Sequence, residues 1–179
     1  MADGEILDLL FGLVDKSLVL AEEHEGVSLR YRMLEPVKQF AREKLEESDE
    51  SGTLRRRHAD FFLDLAERAR PELRGPEDRK WLEKLEREHD NMRVALSFAL
   101  ESEEVKSILL HVDSPGGEVN GTGELADMVY AARGQKPIWA YVSHEGCSAA
   151  YWIASAVDRI VVAPTGIVGS IGVIASVPD

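Results

Sequence analysis

An abrupt change in composition near residue 102 is the feature that most restricts how this chain can fold. Residues 1–102 hold 17 Lys and Arg side chains and 24 Asp and Glu side chains, whereas residues 103–179 hold 4 and 9. The second part nevertheless carries 9 of the 14 glycines. Charged helices are typical of the first composition, and a turn-rich α/β sheet is typical of the second. We therefore predict a two-part chain, 1–102 and 103–179, rather than one uniform fold.

Net charge and cysteine content restrict which binding partners and which cellular compartment we expect for this chain. A net charge of −12 argues against nucleic acid or anionic lipid as partners, because both are polyanions. Cys147 is the only cysteine, so no internal disulfide is expected and a reducing, cytoplasmic compartment fits. The uncharged stretch 160–178 is interrupted by Pro164 and three glycines, which favours two short strands over a membrane span. We expect no cofactor or metal, because His58 and His89 have no second ligand at a useful spacing.

The apolar spacing of the first part predicts a helix, a β-hairpin with its turn at residues 24–26, and three more helices. The helix beginning near Pro36 is predicted to bury Phe40. The next helix is predicted to end at Pro71, and the last to run over 81–99. Helix, hairpin and helix form the pattern of a winged-helix unit, and the last two helices are expected to form an antiparallel pair.

Four separated motifs of the first part agree with one family. They are residues 13–19 (LVDKSLV), 30–35 (RYRMLE), 57–58 (RH) and 88–96 (EHDNMRVAL). Together they resemble the segment after the nucleotide-binding core in LuxR/AfsR-type ATPase transcription regulators, where a winged helix leads into a helical-repeat array. The resemblance covers residues 5–101. It implies a relay or packing module, since no G-x-x-x-x-G-K-[ST] loop occurs in the sequence.

In the second part, short apolar strands alternate with helices, which predicts parallel strands with right-handed crossovers. The predicted order is strand 107–112, a helix burying Leu125 to Ala132, strand 137–142, loop 143–147, helix 148–156, and strands 159–162 and 169–173.

Two places in this part carry chemistry. The Gly116-Gly117 turn follows a strand and exposes backbone N–H groups that can receive an oxyanion. Ser148 stands at the first turn of a helix, where the helix dipole favours developing negative charge. Taken singly, a plain tight turn and a helix N-cap would explain them.

Three motifs of the second part also agree with one family. Residues 113–117 (DSPGG), 148–155 (SAAYWIAS) and 169–173 (GSIGV) resemble the signature set of SppA-type signal peptide peptidases. The SAAYW version is closer to the phage and prophage capsid proteases of that family. The resemblance covers residues 104–177 and implies a ClpP/crotonase-like α/β fold and a Ser/Lys peptidase.

The resemblance also assigns roles to five residues. Ser148 matches the nucleophile, and the amides of Gly117 and Ala149 match the oxyanion hole. Gly116 shapes the turn, and Ser170 matches the serine that orients the general-base lysine.

That lysine is where the sequence departs from the family pattern. No lysine follows Lys136, and the family's first strands, expected before Val105, are missing. Lys136 cannot easily substitute, because it precedes the strand leading to Ser148 and six extended residues span about 20 Å. His144 is an alternative base, although a polar loop residue is the favoured interpretation. We therefore expect the chain alone to be weak or inactive.

The leading interpretation is peptide-bond hydrolysis through Ser148, acting on an extended peptide or protein substrate. A homo-oligomer formed through the second part is also possible. The alternative is a non-enzymatic regulatory or interaction module of the regulator type. A natural fusion, a gene-model error and a constructed chimera all remain open as origins of the two parts.

Overall fold

The computed structural model describes residues 3–24 and 27–172. The chain divides into two compact units, Met1–Leu54 and Arg55–Asp179, which are described separately. The division predicted between residues 102 and 103 rests on composition and motifs, and it stays a prediction. Within the described ranges, no helix is both long and apolar enough to cross a membrane.

The first unit contains a helix, a hairpin and a second helix: α1 (Asp3–Asp15), β1 (Val19–His24), β2 (Val27–Met33) and α2 (Glu35–Glu46). The two strands pair antiparallel, with Val19 opposite Met33, as predicted. Most of the predicted turn, residues 25–26, lies outside the described residues. The prediction that Phe40 is buried is wrong, because α2 buries no residue and the Phe40 side chain is 60% exposed.

Three helices follow: α3 (Ser51–Glu72), α4 (Asp78–Arg87) and α5 (His89–Glu101). The apolar stripe of α3 is confirmed by burial of Phe62, Leu65 and Ala69. This helix continues one residue beyond Pro71, since a proline in a last turn removes only one hydrogen bond. The single helix predicted over 81–99 is instead two helices, because the backbone leaves helical geometry at Glu88 (φ −98°, ψ 5°).

The rest of the second unit is a four-stranded sheet with two helices: β3 (Ile108–Ser114), α6 (Thr122–Ala131), β4 (Ile138–Cys147), α7 (Ala149–Ser155), β5 (Arg159–Val162) and β6 (Ile167–Gly169). All its strand pairs are parallel, which confirms the predicted parallel strands. The strand predicted over 169–173 is instead β6, which ends at Gly169. The predicted loop 143–147 is instead the second half of β4. It is held as a strand because residues 145–147 pair with β6.

The core of this sheet region includes α5 from the charged part of the sequence. Leu100 is 4% exposed and lies in one apolar cluster with residues of α6, β4 and α7, and Leu96 packs against that cluster. Lys136 Nζ donates hydrogen bonds to the carbonyl oxygens of Ala99 (2.9 Å) and Ser102 (2.5 Å), at the end of α5. The change in composition at residue 102 is therefore not a break in packing.

Candidate active site

The turn after β3 is fixed by one side chain and one unusual backbone angle. Ser114 Oγ accepts a hydrogen bond from the Gly116 N–H (3.2 Å) and donates one to the Gly116 carbonyl oxygen (3.1 Å). Gly116 has φ +132°, a conformation that side-chain-bearing residues rarely adopt. The sequence Ser-Pro-Gly-Gly thus forms a tight turn at the carboxyl end of β3.

Ser148 occupies a strained corner between β4 and α7. Its backbone angles are φ 52° and ψ −123°, outside the regions that a serine ordinarily adopts. Its side chain makes no capping hydrogen bond to α7, so the plain N-cap explanation does not account for this residue. The corner is held by backbone hydrogen bonds, from Ser148 N–H to the Gly169 oxygen (2.9 Å) and from Trp152 N–H to the Ser148 oxygen (3.0 Å).

The turn and the corner touch each other at Gly116. A Cβ atom on Gly116 would lie 2.6 Å from Ser148 Cβ and 3.1 Å from Ser148 Oγ, closer than real Cβ atoms approach carbon. Only glycine fits here without a shift, because both its backbone angle and its empty side-chain position are required. This packing brings the DSPGG motif (residues 113–117) against the start of the SAAYW motif (residues 148–152).

A cleft of about 710 Å³ opens beside this contact. It is lined by two short segments and the corner serine: Gly117, Glu118, Val119, Asn120, Ser148, Ser170, Ile171 and Gly172. Three residues selected from the sequence therefore share the cleft, namely Ser148, Gly117 and Ser170. Gly116 packs against Ser148, and Ala149 is the first residue of α7. The catalytic roles of these five residues stay predictions.

Neither base considered from the sequence lines the cleft. Among its described lining residues Glu118 is the one titratable side chain, and none carries an amine. Lys136 is engaged at the end of α5, as described above. His144 Nδ1 lies 3.1 Å from Asp113 Oδ2 and 3.3 Å from Ser143 Oγ. The polar structural role favoured for His144 therefore agrees with its contacts.

The structure shows one contact that the sequence did not reveal, an ion pair between Arg74 and Asp113. The Arg74 guanidinium forms an ion pair with Asp113 Oδ1, and the Asp113 side chain is only 17% exposed. These residues are 39 positions apart, so no local spacing could have indicated the pair. Nearby, partial burial lowers the pKa of His111, and the positive charge of Arg70 acts in the same direction.

Residues 3–24 and 27–172 contain no group of three or more His, Cys, Asp or Glu side chains placed to hold an ion. The isolated histidines discussed above, His58 and His89, belong to no such group. His58 instead packs its ring against Phe62, with the ring centroids 4.6 Å apart.

Comparison with known proteins gives two separate similarities. Residues 131–179 match Peptidase family S49. Over 88 residues the chain is 43% identical to the head-tail preconnector protein GP5 of Enterobacteria phage P21, covering 49% of this chain and 18% of that protein. It is 45% identical over 69 residues to the capsid assembly protease C of Escherichia phage lambda, covering 38% of this chain and 16% of that protein.

The second similarity involves more of this chain at lower identity. Over 148 residues it is 32% identical to a protein named "Putative HTH-type transcriptional regulator" from Mycobacterium bovis, covering 80% of this chain and 14% of that protein. This coverage is wider than the 5–101 over which the motifs were found. The chain spans less than a fifth of the length of each of these three relatives. Residues 131–179 are therefore similar to peptidase family S49, and most of the chain has distant homology to the transcription-regulator group.

Proposed function

We propose that the C-terminal part hydrolyses peptide bonds by acyl transfer through Ser148. The observation that carries this proposal is the corner conformation of Ser148 (φ 52°, ψ −123°), which faces a cleft beside the Gly116-Gly117 turn. Strained backbone of this kind persists only where the surroundings impose it, and it is concentrated at functional sites. A serine between a strand and a helix is also the arrangement used by other serine hydrolases to expose their nucleophile.

The reaction follows from these positions. Ser148 Oγ attacks the carbonyl carbon of the substrate while a base accepts its proton, and the carbonyl electron pair moves onto oxygen. The N–H groups of Gly117 and Ala149 donate hydrogen bonds to that oxyanion. Collapse breaks the C–N bond, and the leaving amine takes the proton from the base. Water then cleaves the acyl ester by the same steps, which frees Ser148.

The base is the part of this chemistry that the described cleft does not supply. By the family resemblance it is a lysine amine oriented by Ser170. Lys136 cannot take this role while its ammonium is held by two carbonyl oxygens at the end of α5. We therefore expect the 179-residue chain by itself to be weak or inactive, and an added amine to restore part of the rate.

Fold, substrate and setting complete the proposal. The parallel sheet with α6 and α7 supports a partial ClpP/crotonase-like domain that takes extended peptides along the cleft. Association of copies through this domain is consistent with β3 and β5 standing at the ends of the described strand order, and a cytoplasmic location is consistent with Cys147 as the one cysteine of the sequence. In the first unit, the order of α1, the hairpin and α2 supports a winged-helix unit.

A tagged fluorophosphonate probe tests the nucleophile directly. The full chain is treated with and without millimolar methylamine, and the labelled residue is identified by mass spectrometry. We expect slow labelling of Ser148 that accelerates with amine concentration, and none in Ser148→Ala. Ser155→Ala is the matched control, because Ser155 lies on the same helix and donates its hydroxyl to the Trp152 carbonyl (2.7 Å).

Two outcomes would contradict different parts of this proposal. Absence of Ser148 labelling at every amine concentration would overturn acyl transfer through Ser148. Fast labelling without amine would retain the nucleophile but overturn the expectation of a weak isolated chain.

A second candidate function is a non-enzymatic interaction module of the transcription-regulator group. The alignment over 80% of the chain favours it, because that alignment includes most of the helical part. Genomic sequence on both sides of the coding region discriminates the two. A lysine-bearing continuation after residue 179 supports the peptidase, an upstream phosphate-binding loop supports the regulator, and a genomic break at residues 102–103 supports an assembled fusion.

A further inference from the structure

Asp113 stands at the junction between the helical segment and the proposed oxyanion turn. Both of its carboxylate oxygens are engaged, Oδ1 by the Arg74 guanidinium and Oδ2 by His144 Nδ1 at 3.1 Å. Its side chain is 17% exposed, so this carboxylate is less screened by water than the surface ion pairs of the same unit. A partly buried carboxylate with two fixed partners is well suited to hold the end of β3 in one position.

Asp113 is connected to the nucleophile through short contacts. The next residue, Ser114, exchanges two hydrogen bonds with the backbone of Gly116. Gly116 in turn packs against Ser148, at a distance that leaves no room for a Cβ atom. A displacement of Asp113 is therefore passed directly to the turn, whose Gly117 lines the cleft.

Arg74 comes from the helical segment, outside the residues that match the peptidase family. It follows α3 in a hydrogen-bonded turn, with the Leu73 N–H bound to the Ala69 oxygen (3.1 Å) and the Gly75 N–H bound to the Glu72 oxygen (3.0 Å). The buried residues of α3 fix the start of this turn. The guanidinium is thus presented by folded structure rather than by a free loop.

We propose that Arg74 is a positioning residue that holds the Gly116-Gly117 turn in its oxyanion-binding geometry through Asp113. This inference rests on the proposed function for its catalytic consequence, but its structural part can be measured without catalysis. It assigns the helical segment a role in the proposed peptidase site, because Arg74 belongs to that segment. Removal of Arg74 would leave Asp113 with His144 as its remaining ion-pair partner in the described structure.

Arg56 provides a matched control for Arg74. Both arginine side chains are 53% exposed, and each forms an ion pair with a carboxylate that lies beyond α5 in the sequence. The partner of Arg56 is Glu104, which is 59% exposed and precedes β3, and Arg56 also pairs with Asp60 on its own helix (3.8 Å). Exposed pairs of this kind contribute little, so Arg56→Ala removes an equal charge without touching the turn.

Hydrogen–deuterium exchange of the full chain is the first test. We expect Arg74→Ala to raise the exchange rate of peptides covering residues 113–120 by about 10-fold, and Arg56→Ala to leave it unchanged. Arg74→Lys is expected to restore most of the protection, because a lysine keeps the charge while losing the planar fork. Unchanged exchange over 113–120 in Arg74→Ala would overturn the inference, whether or not the chain is a peptidase.

Fluorophosphonate labelling in the presence of methylamine is the second test. Arg74→Ala should lower the maximal labelling rate constant about 10-fold with little change in the probe concentration that gives half the maximal rate, because the turn is displaced rather than removed. Asp113→Asn should lower the rate similarly, and the double variant should be no slower than the worse single variant. A rate loss equal to that of Arg56→Ala, or additive losses, would overturn the catalytic part. A wild-type chain that never labels would instead count against the proposed function alone.

Discussion

Replacing Gly116 by alanine would drive a methyl group into Ser148. The new Cβ would lie 2.6 Å from Ser148 Cβ, whereas ordinary contacts begin at 3.4 Å, so the turn must retreat by about 0.8 Å (3.4 minus 2.6). Alanine also disfavours the backbone angle of this residue, φ +132°. The variant therefore moves the Gly116-Gly117 turn away from Ser148, whereas the proposed mechanism requires the turn and Ser148 to be in contact.

The expected losses follow from these distances. A misplacement of roughly 1 Å at a catalytic group costs about 100-fold in rate, so labelling of Ser148 should slow by about that factor. The positive φ and the overpacking together should lower the free energy of unfolding by about 2–3 kcal/mol. For a chain of this size, that corresponds to a fall in Tm of about 4–12 °C.

Gly134→Ala separates the steric effect from the backbone effect. Gly134 also has a positive φ (+77°), but a Cβ atom there would meet open space. This control should lose about 1 kcal/mol of stability and none of the labelling rate. The assay measures the rate at which the fluorophosphonate labels Ser148 in the presence of amine. It is run well below the Tm of the wild type and of each variant, and the rate is expressed per folded molecule. Labelling of Gly116→Ala within threefold of the wild-type rate would refute the reasoning.

Three further predictions concern stability and its pH dependence. Lys136→Ala should lower the free energy of unfolding by about 1–2 kcal/mol, because two hydrogen bonds at the end of α5 are lost. The variant should label Ser148 as fast as the wild type per folded molecule. A loss of labelling that matches the loss of stability would assign Lys136 a catalytic role. Asp158→Ala should cost about 1–3 kcal/mol in urea denaturation, because Asp158 Oδ2 accepts a hydrogen bond from the N–H of fully buried Ile138 (2.8 Å). Arg133→Ala removes the ion pair of Asp158 at 3.6 Å and a cation–π contact with the exposed Tyr130 ring (5.0 Å), and it should cost much less. Equal losses would contradict this reasoning. His111 has its pKa lowered below 6.5 in the folded chain, so the unfolded chain binds more protons and stability should fall as pH drops from about 7 to 5. His111→Gln should show a shallower fall over the same range, and identical slopes would exclude this contribution.

Local patterns in the sequence were sufficient for most elements of the sheet region. Apolar runs placed β3, α6, β5 and the first half of β4 closely, because buried parallel strands and their crossover helices impose those runs directly. The errors lie where pairing or packing overrides local pattern. Residues 143–147 contain His, Glu and Gly and look like a loop, yet their pairing with β6 makes them strand. Phe40 has helical spacing, yet α2 buries no side chain.

The sequence by itself selected the candidate residues of the proposed site. Its motifs selected Ser148, Gly117 and Ser170, which are distant in the chain yet line one cleft. It also excluded an internal disulfide, since one cysteine cannot form one, and it marked the change in composition at residue 102. The choice of these three residues follows from the resemblance of their motifs to a known family, whereas the exclusion of an internal disulfide follows from residue count alone.

Only the tertiary structure decided how the two parts are joined around that site. It placed α5 in the core of the sheet, engaged Lys136 at the end of α5, and brought Arg74 onto Asp113. The Lys136 and Arg74 contacts leave no local signal, because they join residues 34 to 39 positions apart and depend on side chains that would be equally acceptable on a solvent-exposed surface. Burial and long-range pairing, rather than residue type, therefore decide what these charged groups do.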